Sequence, residues 1–96
     1  MSKSINRSNR THERLSRKHN DNANMHRDST SKNFWSLVRR DYHDSVVRDQ
    51  KRFGKILSKD EKKNLYRLAI NDVVDYRKSV NEYYGFNRYI PKKYRK

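Results

Sequence analysis

From residue 34 onward the apolar side chains fall at helical intervals. Phe34, Val38, Tyr42 and Val46 recur every four residues with Leu37 beside them, which puts them on one stripe of an α-helix. Asp28-Ser29-Thr30-Ser31 upstream offers several N-cap side chains, and Phe53-Gly54 offers an apolar end followed by a glycine that can close the helix in the left-handed conformation. A second stripe, Leu65, Leu68, Ala69, Val73, Tyr76, Val80 and Tyr83 or Tyr84, follows Ser58-Lys59-Asp60-Glu61. That tetrapeptide fits a capping box, in which the serine hydroxyl and the glutamate carboxylate each satisfy an orphan backbone N–H. Gly85 stands where a helix-closing glycine belongs, so the second helix is predicted over residues 59–84. A link as short as Gly54 to Ser58 favours antiparallel neighbours. The fold class expected is all-α: a small antiparallel helical hairpin over residues 34–84, with a thin core that invites self-association or docking on a larger body.

Residues 1–33 break this pattern. Apart from Ile5, Leu15, Ala23 and two Met they carry almost no apolar side chains, and they are rich in Asn, Ser and Arg. So little can be buried that the entropy of ordering the chain is not offset, and the segment is expected to be a basic, largely disordered arm that turns helical only on a partner. Residues 85–96 form a short basic, aromatic tail: Phe86, Tyr89 and Tyr94 alternate with Arg88, Lys92, Lys93, Arg95 and Lys96, with no acid among them.

Composition sharpens this division. Of the 96 residues 31% are hydrophobic, well below the roughly 45–50% of a typical globular domain. The net charge is +14, from 25 Lys and Arg against 11 Asp and Glu, and most of the surplus lies outside residues 34–84. Such a field attracts polyanions. The absence of Cys excludes disulfides, thiolate zinc sites and thiol nucleophiles. No apolar run is long enough for a membrane span or a signal-peptide core, and Met-Ser-Lys-Ser lacks the glycine that myristoylation requires. The expectation is a soluble protein with no membrane partner, located in the cytoplasm, in a host cell or packaged within a particle.

Two stretches carry candidate chemistry. Arg7, Arg10, Arg14 and Arg17, with Lys18 beside them, are three or four residues apart, so a helical arm would align them as a cationic stripe along a phosphate backbone. In the tail, Tyr89 and Tyr94 are expected to stack on unpaired bases while Arg88, Lys92, Lys93, Arg95 and Lys96 neutralise phosphates. Tyr83, Tyr84 and Phe86 fit equally a contact role or closure of the hairpin core, and Tyr42, Tyr66 and Tyr76 read as packing residues. His12, His19 and His26 are seven apart, but successive heptad positions lie ~10 Å apart by the helical rise, too far to share one zinc ion. Asp41, His43, Asp44 and Asp49, and the Glu61-Lys62-Lys63 fragment of a nuclease-like motif, are read as helix-surface ion pairs and as the capping box. No metal, cofactor or catalysis is expected.

The leading expectation is a non-enzymatic nucleic-acid-binding protein that acts through phosphate contacts of its basic arms, within a nucleoprotein assembly; a further reading is a capsid-internal or ribosomal subunit protein whose arms thread into packaged or folded nucleic acid. The alternative is a small phage-type inhibitor or adaptor, for example an anti-CRISPR, that binds a host nucleic-acid-handling protein or ribonucleoprotein. The partner is then nucleic acid or nucleoprotein in the first case and an acidic protein surface in the second.

Overall fold

Thr30 starts the helix that organises the molecule: its side chain accepts the Asn33 N–H at 3.2 Å, and the chain runs helically from Ser31 to Phe53. Gly54, at φ 66°, returns its N–H to the Gln50 carbonyl and ends it. Leu57 and Ser58 then turn the chain into a second helix, Lys59–Tyr84, whose capping box is complete: Ser58 Oγ accepts the Glu61 N–H and the Glu61 carboxylate accepts the Ser58 N–H. Gly85, at φ 70°, closes that helix. The computed structural model describes residues 3–95. Within them the elements are α1 (Lys3–Met25), α2 (Ser31–Phe53), α3 (Lys59–Tyr84) and one 3-10 turn at Lys92–Tyr94.

The apolar stripes meet over most of the predicted positions, but Leu68, Tyr76, Tyr83 and Tyr84 of the second stripe stay exposed, which corrects the expectation that Tyr76 packs. Phe34 and Val38 of α2 pack on Ala69, Val73 and Val74 of α3 at one end, while Val46 packs on Leu57 and Leu65 at the other, so α2 and α3 are antiparallel. Phe34, Val38 and Val46 are fully buried. Each is worth about 1.5–3 kcal/mol against the exposed state.

Residues 3–25 correct the expectation of a disordered arm: they form α1, which packs along α2 on the side away from α3. The surface it buries is polar. Ile5, Asn9, His12, Ser16, His19 and Ala23 alternate steps of four and three and face Gln50, His43, Asp44, Arg40 and Asn33 of α2. Gln50, wholly buried, donates to Ser8 Oγ (3.1 Å) and Asn9 Oδ1 (2.9 Å) and accepts the Leu57 N–H (3.1 Å), tying α1 and the turn before α3 to α2. Ser16 donates to Asp44, and Arg40 donates to Asn20 at 3.0 Å. Each such bond adds only about 0.5–1.5 kcal/mol net, but no buried side-chain nitrogen or oxygen among the described residues lacks a partner, so the seam incurs no desolvation penalty from unpaired groups.

The tail is also part of the fold. Tyr89 donates its N–H to the Asp28 carbonyl at 2.8 Å, Asn81 holds both backbone groups of Arg88, and Ile90 enters the core beside Phe34. One buried side chain fastens this end together: Arg77 donates to the carbonyls of Asp28 (3.0 Å) and Tyr89 (2.9 Å) and to Asn33 Oδ1, and lies 5.6 Å from the centre of the Phe34 ring. Asn33 in turn donates to the Ala23 and His26 carbonyls, adding to the His26 N–H bond at Ala23 and securing the exit of α1. With α2 between α1 and α3, the molecule is a flat layer of 48 × 26 × 19 Å.

Candidate nucleic-acid interface

On α1 the residues that face α2 leave the opposite side to Arg7, Arg10, Arg14 and Arg17. All four are exposed and, with Thr11, they line a shallow groove of about 390 Å³ along the outer edge of the layer. Among the described residues none of the four forms an ion pair with a carboxylate, whereas Arg40, Arg48, Lys51, Lys55 and Arg88 all do. Four guanidinium groups in a row with no counter-charge repel one another at three- and four-residue spacing. Lys18 is exposed next to them.

The tail residues are distributed otherwise. Tyr89 packs edge-on against Phe34, 5.9 Å between ring centres, and Tyr94 lies against the same core, so these two rings are not the free stacking surfaces expected of them. Arg88 pairs with Asp28 at 3.0 Å, and Arg95 donates to the Ile90 carbonyl while lying over the Tyr89 ring. Lys92 and Lys93 are exposed, Lys93 with its ammonium 5.1 Å from the centre of the Tyr94 ring. Lys96 lies outside the described residues. The rings left in solvent at this end of α3 are instead Tyr76 (64% exposed), Tyr83 (81%), Tyr84 (62%) and Phe86 (48%); Tyr83 meets Tyr84 edge-on with centres 4.7 Å apart, and Tyr84 stacks on Phe86 at 5.2 Å. Arg77 is level with Asn33 at the start of α2, so α3 continues almost two turns past anything α2 can cover.

A second grouping brings residues from different helices together. His43 of α2 meets His12, Nδ1 to Nδ1 at 2.7 Å, and stacks on His19 with ring centres 5.5 Å apart and planes 2° from parallel. One proton serves the His12–His43 contact, so at least one of the two rings is neutral. Burial is the first cause lowering the affinity of each ring for a further proton; Lys62 adds to it at His12, and Arg39 and Lys18 add to it at His19. At His43 burial and then the other two rings outweigh the pull of Asp44 and bring the value down to about 4. Among the described residues no cluster of His and acidic side chains converges as a metal ion requires.

Acidification should therefore loosen α1. The unfolded imidazoles take up protons near pH 6.5, while the folded ones resist until lower pH, so stability falls as pH drops below about 6.5. Burial raises Asp41 and so pushes the other way, whereas the backbone and side-chain bonds to Ser58 lower Glu61 and add to the loss as pH falls. The urea midpoint is expected to drop between pH 7 and pH 5 by the equivalent of roughly 1–2 kcal/mol, allowing for solvent screening at half-buried rings. A midpoint that is flat over this range would contradict the proton count.

Comparison with protein families, with characterised proteins and with solved structures finds no match to this chain. Its chemistry therefore rests on its own surfaces. Among the described residues no helix is long and apolar enough to cross a membrane.

Proposed function

We propose that this is a non-enzymatic nucleic-acid-binding protein whose primary contact is the outer edge of α1. The observation that supports it best is the exposed row Arg7, Arg10, Arg14 and Arg17, aligned along one helix edge with no ion pair to a carboxylate among the described residues. Guanidinium forks suit phosphate oxygens, and a row held by a folded helix does not have to be ordered on binding. With the exposed Lys18, Lys92 and Lys93 the four arginines make seven cations, a footprint on the order of seven phosphates. The test is binding of nuclease-treated protein to labelled single- and double-stranded DNA and RNA across a salt series. Affinity should fall roughly 10³–10⁵-fold between 50 and 200 mM salt. A salt-insensitive isotherm overturns the reading.

The exposed cluster Tyr83, Tyr84 and Phe86 favours a second reading, an inhibitor or adaptor that docks on a protein of a nucleic-acid-handling machine. One stoichiometric protein retained after nuclease digestion, together with salt-insensitive binding to nucleic acid, would point there.

A further inference from the structure

The two faces of the flat layer differ in charge. One groove beside α2, about 550 Å³, is lined by Asp28, Asp41 and Asp72 together with Arg40, Arg77 and Arg88, so its cations have counter-charges. On the other face Tyr42 of α2 and Tyr66 of α3 meet edge to face, ring centres 5.4 Å apart, at the base of an open cleft of about 380 Å³. Lys59, Lys62 and Lys63 form the rest of its lining, and no carboxylate does. Most of the surface in the cleft is carbon, from the rings and the lysine stems, with ammonium groups around it. The cations Lys62, Arg39 and Lys18 act on His12 and His19 of the same face. Asp44 is the one acid that acts on His43, and its carboxylate already accepts the Ser16 hydroxyl.

An aromatic, carbon-lined base ringed by cations is complementary to a flat uncharged ring joined to an anionic group. The cleft lies at the lower end of the range of small-ligand sites, ~300–1,000 Å³, and has room for one nucleotide but none for a duplex. We infer that the cleft between Tyr42 and Tyr66, with Lys59, Lys62 and Lys63, holds an unpaired nucleotide of a single strand, the base against the tyrosine rings and its phosphates on the lysines. This rests on the nucleic-acid reading above and adds a selectivity that the arginine edge alone does not supply. The arginine row would grip any phosphate backbone; the cleft would favour a strand whose bases are free.

The experiment uses the full chain and a 12-nucleotide oligothymidylate carrying one 5-iodouracil, either alone or annealed to oligodeoxyadenylate. Irradiation of the single-strand complex should give adducts on the peptides that contain Tyr42 or Tyr66. Tyr66→Leu, which keeps an apolar side chain against the core, should weaken the single strand about 5–150-fold and change the duplex by less than about twofold. The double variant Lys59→Glu, Lys63→Glu alters only exposed positions and should show the same selective loss, which separates the site from any folding defect of Tyr66→Leu. Adducts confined to Tyr83, Tyr84 and Phe86, or equal losses for single strand and duplex, would overturn the cleft while leaving the arginine edge standing. Absence of binding by either form at low salt would overturn both.

Discussion

Arg77→Met is expected to lower stability by about 3–5 kcal/mol, the largest effect of any single substitution of a polar residue in this chain. Arg77 is 3% exposed, and its guanidinium donates to two backbone carbonyls and to the Asn33 side chain. Methionine matches its stem but leaves the Tyr89 carbonyl and Asn33 Oδ1 without this donor and the Asp28 carbonyl with the Tyr89 N–H alone, each lost bond costing about 1–3 kcal/mol less whatever water can recover. Arg77→Lys should rescue little, because a single ammonium cannot serve acceptors spread over the planar fork. Because the same guanidinium holds the returning tail, residues 85–95 should become sensitive to limited proteolysis before the helices do. Urea unfolding and the cleavage pattern test both points; a loss under 1 kcal/mol with a protected tail would contradict this account of the joint.

Replacing Arg7, Arg10, Arg14 and Arg17 together by Gln is expected to reduce nucleic-acid affinity roughly 10²–10³-fold at 100 mM salt and to flatten the plot of log K against log salt by about 3–4. Stability should stay the same or rise slightly, since like charges three and four residues apart on a helix repel by about 0.2–0.5 kcal/mol per pair. The opposite signs make the result easy to read: weaker binding by a protein at least as stable. Wild-type affinity in this variant would move the phosphate path away from α1.

How much of this was legible in the sequence depended on which residues carried each contact. The α2–α3 pair was readable because Phe34, Val38, Val46, Leu65, Ala69 and Val73 are apolar at helical spacing, and because Thr30, Ser58, Gly54 and Gly85 mark the ends. The packing side of α1 has equally regular spacing, but Asn9, His12, Ser16 and His19 occupy it, and a hydrophobic count reads such a segment as disordered. The seven-residue spacing of His12 and His19 was visible; that His43 meets them depends on the antiparallel register of α1 against α2, which no local pattern specifies. The arginine spacing was visible too, conditional on a helix that composition argued against. In the tail the rings exchanged roles, since which of Tyr83, Tyr84, Tyr89 and Tyr94 meets the core depends on where the chain turns back after Gly85.

The polar character of the α1–α2 seam also governs how the molecule responds to temperature. The heat capacity of unfolding rises with the apolar area uncovered and falls with the polar area uncovered. Releasing α1 uncovers amide, hydroxyl and imidazole groups more than hydrocarbon, so its hold on α2 varies little with temperature. Releasing α3 uncovers Phe34, Val38, Val46, Val73 and Val74, so that contact weakens on cooling. The first and third helices are thus fastened to the second by forces of different thermal character, and the less tightly held of the two need not be the same one in the cold as in the heat.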